Sequence, residues 1–197
     1  ALTSVQDAVL AEGVAGRDLL VSAQTGSGKT VAFGLAIAPE VLSGQDVLLY
    51  ADHPIALVIA PTRELALQVF ESVKSYSKHT PIRAMCAFGG VDIRPQIAEL
   101  KKGVEILVAT PGRLLDHIGR GRIDFSRLEI LVIDEADRML DMGFIDDVAE
   151  IGKSLPKTRQ TLLFSATFEG AITKLAATIL RDPQRVALAY TSDSLWR

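Results

Sequence analysis

Two residue pairs carry most of the chemistry this sequence offers, Lys29-Thr30 and Asp134-Glu135. The first pair ends the stretch AQTGSGKT at 23–30, which follows the apolar run Leu19-Leu20-Val21 and precedes a helix-like segment over 31–41. A glycine-bearing turn between strand and helix that closes on an ammonium and a hydroxyl has the layout of a phosphate-binding P-loop. Gly26 and Gly28 allow backbone conformations that a Cβ obstructs, so successive amides across Ala23, Gln24, Thr25 and Ser27 can turn inward around phosphate oxygens. Lys29 then reaches the β- and γ-phosphates, and the Thr30 hydroxyl suits a Mg²⁺ ion. The helix that begins there presents the positive end of its dipole to the anion. Ala23 departs from the strict G-x-x-x-x-G-K-S/T pattern, which has glycine in its place.

The second pair closes a different strand, where Ile130–Ile133 runs apolar into Asp134-Glu135-Ala136-Asp137. Carboxylates at the end of a buried strand are costly unless a cation or hydrogen-bond donors satisfy them. In a P-loop protein the natural cation is the Mg²⁺ carried by the nucleotide. Asp134 is therefore assigned to that metal through water, and Glu135 to orienting and polarising the attacking water. The competing reading is an acidic helix N-terminus favoured by the dipole, an effect worth under about 1 kcal/mol.

Positioning these groups requires a strand ahead of each. Apolar runs predict strands over 18–23, 55–60, 82–88, 105–109, 130–134, 160–165 and 185–189. Helical periodicity predicts helices over 3–11, 31–41, 63–76, 95–101, 112–118 and 171–180, with a further pair flanking Gly143. Continuous apolar strands separated by helices indicate a parallel sheet covered on both faces. Such sheets bind ligands at the carboxyl ends of their strands. Ala23, Pro61, Gly89, Thr110, Asp134 and Ser165 each stand at or just past a strand end.

Composition narrows the classes. The chain has 197 residues, 48% hydrophobic and 23% charged, which suits one large soluble domain. No apolar run approaches the roughly 20 residues of a membrane span and the start is no signal peptide, so a cytoplasmic location and no membrane partner are expected. Cys86 is the single cysteine, in the strand-like AMCAF, and buried core is its expected role. His53, His79 and His117 are scattered, which disfavours a protein-held zinc site. Net charge is −3, yet residues 80–122 carry seven cations against four anions, an excess of +3. That excess fits an anionic partner or a solvated helix face.

In its order of motifs the chain resembles the DEAD-box ATP-dependent RNA helicases over nearly all its length, Asp134-Glu135-Ala136-Asp137 spelling that family's name. Thr3-Ser4-Val5-Gln6 looks like the end of the Q motif, with Leu2 where the family has proline, and AQTGSGKT is the family's own P-loop form. Pro61-Thr62-Arg63-Glu64-Leu65-Ala66 is similar to motif Ia, Gly89-Gly90 to the GG motif, Thr110-Pro111-Gly112-Arg113 to motif Ib, and Ser165-Ala166-Thr167 to motif III. The resemblance implies that Gln6 reads the adenine edge of ATP and that Pro61, Thr62, Arg63, Gly89, Gly90, Thr110, Pro111, Gly112 and Arg113 face RNA. Thr62, Gly90 and Thr110 offer hydroxyls or unobstructed amides at helix or turn starts, which suits phosphate oxygens. Arg63 and Arg113 can add bidentate contacts, although Arg63 and Glu64 also read as an ordinary helix-start ion pair. Ser165 and Thr167 are expected to hydrogen-bond to Asp137 and couple the ATP site to moving parts; no G-x-S-x-G elbow supports a serine nucleophile.

The resulting expectation is an α/β fold, a RecA-like P-loop NTPase domain with a central mostly parallel sheet over 1–189, followed by a tail or the start of a linker over 190–197. ATP and Mg²⁺ are the expected cofactors and RNA the sequence-nonspecific partner, and the fragment is expected to be monomeric. The resemblance also implies a second RecA-like domain bearing arginine fingers, which lies outside these residues and counts as a partner. A fragment without it is expected to bind nucleotide, hydrolyse it poorly and unwind nothing. A DNA-directed P-loop ATPase and a nucleotide-gated adaptor remain the alternatives. The water-polarising Glu135 disfavours the adaptor, and only a 2′-OH contact separates RNA from DNA.

Overall fold

Short aliphatic runs become the strands: Leu19–Ser22 (β1), Ala56–Ile59 (β2), Ala84–Ala87 (β3), Ile106–Ala109 (β4), Ile130–Ile133 (β5), Gln160–Ser165 (β6) and Gln184–Ala187 (β7). The computed structural model describes residues 4–11, 16–24, 29, 32, 34, 36–37, 53–168 and 170–187. The helices are Ser4–Leu10 (α1), Arg63–Tyr76 (α2), Arg94–Lys101 (α3), Pro111–Gly119 (α4), Ala136–Asp141 (α5), Ile145–Ser154 (α6) and Gly170–Ile179 (α7). Lys29, Ala32, Gly34, Ala36 and Ile37 are also helical. The tail at 190–197 lies outside the described residues, as do 38–52 with the end of the helix expected over 31–41.

The strands form one sheet in the order β3-β4-β2-β5-β6-β1-β7, and every pairing is parallel. Alternation along each strand splits the core. Leu57, Ile59, Leu107, Leu131, Ile133 and Leu163 face one side, under Leu114 of α4, Met139 of α5, Ile151 of α6 and Leu175 of α7. Ala56, Val58, Ile106, Val108, Ile130, Val132, Leu162 and Phe164 face the other, with Val9 of α1 and Ala66, Val69 and Val73 of α2. Each fully buried aliphatic or aromatic side chain contributes about 1.5–3 kcal/mol, so covering both faces makes the sheet a rigid base.

The edge strand β3 is shorter than the predicted 82–88. Thr80 closes a turn by donating its N–H to the Ser77 carbonyl at 2.9 Å, and the Arg83 N–H is taken by the buried Glu105 carboxylate at 2.6 Å. Register brings the strand ends level: Ser22 lies opposite Ser165, Ile133 opposite Leu163, Ile59 opposite both Ile133 and Ala109, and Ala87 opposite Ala109. The carboxyl rim thus has two halves, one from β5, β6 and β1 and one from β2, β4 and β3.

Candidate functional site

On the first half of the rim, β5 extends its ladder one residue further, the Asp134 N–H donating to the Ile59 carbonyl at 3.0 Å. Glu135 then takes a left-handed conformation, φ 53° and ψ 55°, before α5 begins. That conformation costs a non-glycine residue about 1–3 kcal/mol and persists only where the surroundings hold it. The Lys29 ammonium lies against both acids, 3.1 Å from Asp134 Oδ1 and 3.2 Å from Glu135 Oε1, donating a hydrogen bond to the latter. All three side chains are at most 10% exposed. Arg138, one turn into α5, sits 3.9 Å from Glu135 Oε2.

The contact between Lys29 and Asp134 is an ion pair without hydrogen-bond alignment, so Asp134 Oδ1 is buried with no hydrogen-bond partner. Burial pushes the Asp134 carboxyl above its ordinary value, Lys29 opposes that, and the neighbouring Glu135 charge adds to it. A buried carboxylate oxygen whose ammonium neighbour at 3.1 Å is out of hydrogen-bond alignment still lacks a donor. A cleft of about 110 Å³ opens beside it, lined by Ala23, Lys29, Glu135, Asp137, Arg138 and Ala166. The Ala23 N–H donates to the Ser165 carbonyl at 3.1 Å, which fixes the exit of β1 against β6.

Lys29, Asp134, Glu135, Asp137 and Ala23 are therefore brought together. Gln6 is buried on α1 and Gln24 is exposed at the exit of β1. Thr25, Gly26, Ser27, Gly28 and Thr30 lie outside the described residues. The expected contact of Ser165 and Thr167 with Asp137 is not formed among the described residues. Instead the Ser165 hydroxyl donates to the Thr167 carbonyl at 2.6 Å, because the chain turns back on itself directly after β6.

The second half carries two helix N-termini on adjacent strands. Thr62 caps α2, its hydroxyl accepting from the Leu65 N–H at 3.2 Å, and Pro61 before it is buried. Thr110 stands at the start of α4 with no side-chain capping bond, followed by buried Pro111 and exposed Gly112. Gly89 and Gly90 form an exposed turn after β3, and Gly90 has φ +79°, which glycine adopts without strain. The Arg63 guanidinium packs over the Phe88 ring, 4.8 Å from its centre, and no ion pair with Glu64 forms among the described residues. Arg113 is partly engaged within the fold: Nη1 donates to Gln96 Oε1 at 3.2 Å and Nη2 to the Val91 carbonyl at 2.9 Å.

The cationic excess over 80–122 is mostly internal. Arg83 lies against Glu105, Arg94 against Asp92, Lys102 against Glu99, and Arg120 and Arg122 against Asp116. Arg138 and Gln96 belong to none of the motifs, and His117 reads from sequence only as one of three scattered histidines. Only Arg138 had a local signal, its spacing of three from Glu135 on a helix. No helix among the described residues is long and apolar enough to cross a membrane.

The family model described as DEAD/DEAH box helicase matches residues 3–175. The chain is 45% identical over 188 residues to an ATP-dependent RNA helicase, CshA, of Listeria monocytogenes, covering 94% of this chain and 35% of that protein. It is 40% identical over 192 residues to DEAD-box ATP-dependent RNA helicase 53 of Oryza sativa subsp. japonica, covering 98% of this chain and 31% of that protein. Among solved structures, a DEAD box protein from Methanococcus jannaschii superposes with a TM-score of 0.84 at 34% identity, over 95% of this chain and 50% of that one. The chain thus spans about a third of these curated relatives.

Proposed function

The chain belongs to the DEAD/DEAH box helicase family, and from that premise we propose that it is the ATP-binding, RecA-like half of an ATP-dependent RNA helicase. The observation that carries this reading is the shared carboxyl rim. The buried cluster of Lys29, Asp134 and Glu135 and the paired helix N-termini at Thr62 and Thr110 lie side by side on one sheet edge. One face can therefore hold a nucleotide and a nucleic-acid backbone together.

Bound ATP with Mg²⁺ supplies the phosphoanhydride to be cleaved and the positive charge that screens it. The residues present suit that pair. An ion of this kind is usually held by one or two carboxylates, phosphates and its own waters. Asp134, with its unpartnered oxygen, would hold that hydrated ion, and Thr30 would ligate it directly. Lys29 occupies the cationic position between the acids and must turn from them to meet phosphate. Glu135, released from Lys29, is the base that accepts a hydrogen bond from the attacking water and orients it. Its left-handed backbone aims the carboxylate into the cleft.

On the other half, two α-helix N-termini and the Gly89-Gly90 turn suit phosphate oxygens, and Arg63 adds charge. None of these groups reads a base, so RNA binding is sequence-independent. Its logarithm should fall with log salt by about 0.7 per neutralised phosphate. A second RecA-like domain would bring the arginine that stabilises transition-state charge, an effect worth about 10³–10⁵ in rate. Residues 1–197 alone then bind nucleotide, turn over very slowly and unwind nothing.

The test is Glu135→Gln in the two-domain protein. Turnover should fall by about 10²–10⁴ while ATP and RNA stay bound together. Unchanged turnover sinks the assignment. Competition between single-stranded RNA and DNA in the same assay decides the substrate, and equal affinity for DNA would reassign the chain to a DNA-directed ATPase.

A further inference from the structure

The loop after β3 and the start of α4 are joined by one side chain that no motif contains. Gln96, in α3, is 7% exposed. Its Nε2 donates to the Phe88 carbonyl at 3.0 Å, just before Gly89-Gly90. Its Oε1 accepts from Arg113 Nη1 at 3.2 Å and lies 3.1 Å from His117 Nε2, both on α4. The guanidinium only donates and the Phe88 carbonyl only accepts, so the amide has one possible orientation. With Oε1 facing α4, His117 must donate from Nε2. Its Nδ1 is then the bare nitrogen, buried without a partner, as a neutral imidazole allows.

The rest of the connection runs outward from Gln96. Arg113 also donates to the Val91 carbonyl at 2.9 Å, so the turn is gripped on both sides of its two glycines. Phe88 carries Arg63 of α2 over its ring at 4.8 Å. The backbone adds one bond, from the Thr110 N–H to the Ala87 carbonyl at 3.0 Å. Three separate segments, led by Arg63, Gly90 and Thr110, are thus tied through the surroundings of one buried amide.

On the reading of these segments as an RNA-backbone groove, we propose that Gln96 is a positioning residue for RNA: it holds the glycine turn and the start of α4 at the spacing of successive phosphates without touching RNA itself. Gly90 sits in a left-handed turn, and of the groups that tie this turn to α4 only Gln96 holds the residue directly before the two glycines, at the Phe88 carbonyl. Preorganising such a turn lowers the ordering cost of binding, which appears as affinity.

The experiment uses the full-length protein and separates RNA from ATP. Gln96→Met keeps the volume but removes every bond. Gln96→Glu keeps the one acceptor oxygen that takes both bonds from α4 and sets a second oxygen against the Phe88 carbonyl. Arg120→Ala, at the exposed residue just past the end of α4, is the control. The RNA concentration giving half-maximal ATPase stimulation should rise about tenfold for Gln96→Met and less for Gln96→Glu, with the KM for ATP unchanged in both. Should Gln96→Met fail to fold, the same split in Gln96→Glu supports the proposal. Unchanged RNA half-saturation in Gln96→Glu and a folded Gln96→Met, beside a wild type that binds RNA, overturns the positioning role alone. A parallel loss of ATP and RNA affinity overturns it in favour of a structural role. A wild type that fails to bind RNA overturns both this role and the RNA reading.

Discussion

Exchanging Asp134 for asparagine should stabilise the nucleotide-free domain while disabling it. Asp134 is 3% exposed, and its Oδ1 has an ion-pair contact but no hydrogen bond. Burial outweighs Lys29, so its carboxyl sits above the ordinary 3.8. The sign follows from linkage. Above the folded-state value the ionised group costs stability in full; the cost eases as pH falls through that value and is gone by 3.8. Asparagine keeps the shape without the charge, and Lys29 keeps Glu135 at 3.2 Å. Removing such a functional burden typically returns about 0.5–2 kcal/mol. For a domain of this size that is a rise in Tm of roughly 1–8 °C. Lys29→Met is the opposite perturbation. It leaves Asp134 and Glu135 adjacent and buried with only Arg138, 3.9 Å from Glu135, to offset them, a loss of about 3–5 kcal/mol. Calorimetry without nucleotide across a pH series reads both. A lower Tm for Asp134→Asn, or an advantage that widens toward acid, would refute the reasoning.

Three further perturbations reach other parts of the fold. A Cβ on Gly152 would lie 2.6 Å from Ile179 Cγ2 and 3.3 Å from its Cβ, and Arg159 pins the Ile179 carbonyl at 2.9 Å; Gly152→Ala should therefore lose about 1–3 kcal/mol to overpacking, more than the roughly 1 kcal/mol gained in helix propensity, read as a lower urea midpoint. Burial, then the charges of Arg122 and Arg113, hold His117 below its ordinary 6.5 against the weaker pull of Asp116. Its contribution is complete above 6.5 and is lost as pH falls toward the folded-state value, so His117→Asn should flatten stability against pH just below 6.5, and an unchanged slope would exclude it. Arg63→Ala removes a cation from the groove, so RNA affinity should drop at low salt and the salt slope shrink by about 0.7; an unchanged slope means Arg63 meets no phosphate.

The sheet was legible because its strands are buried on both faces, and quartets such as ALVI, ILVA and ILVI leave no other reading. The positions of Asp134, Thr62 and Thr110 followed, since a strand end is set by where the apolar run stops. Side-chain geometry beyond the strand ends was not legible. Nothing in Asp-Glu-Ala-Asp announces that Glu135 turns left-handed, because that conformation is held by its surroundings and not by its residue type. Ser165 reads as a partner for Asp137, but its hydroxyl donates instead to the Thr167 carbonyl two residues on. Gln96 was invisible for another reason. A lone glutamine in an amphipathic helix has no periodic or local signal, and its partners are 8, 17 and 21 residues away.

The backbone limits how the two halves of the rim can communicate. At the strand ends the Thr110 N–H binds the Ala87 carbonyl at 3.0 Å, Ala60 binds Ala109 at 3.0 Å, Asp134 binds Ile59 at 3.0 Å, and Ala23 binds Ser165 at 3.1 Å. These bonds lie across a sheet with a dry core on both sides, where bending costs packing as well as hydrogen bonds. On the reading proposed above, the half assigned to nucleotide and the half assigned to RNA are therefore tied to one spacing in this structure. A ligand can shift an equilibrium only by binding two states differently. On that reading, coupling between ATP and RNA would rest on side chains at the rim, Lys29 leaving its two acids foremost, and on the proposed second domain closing over both halves at once.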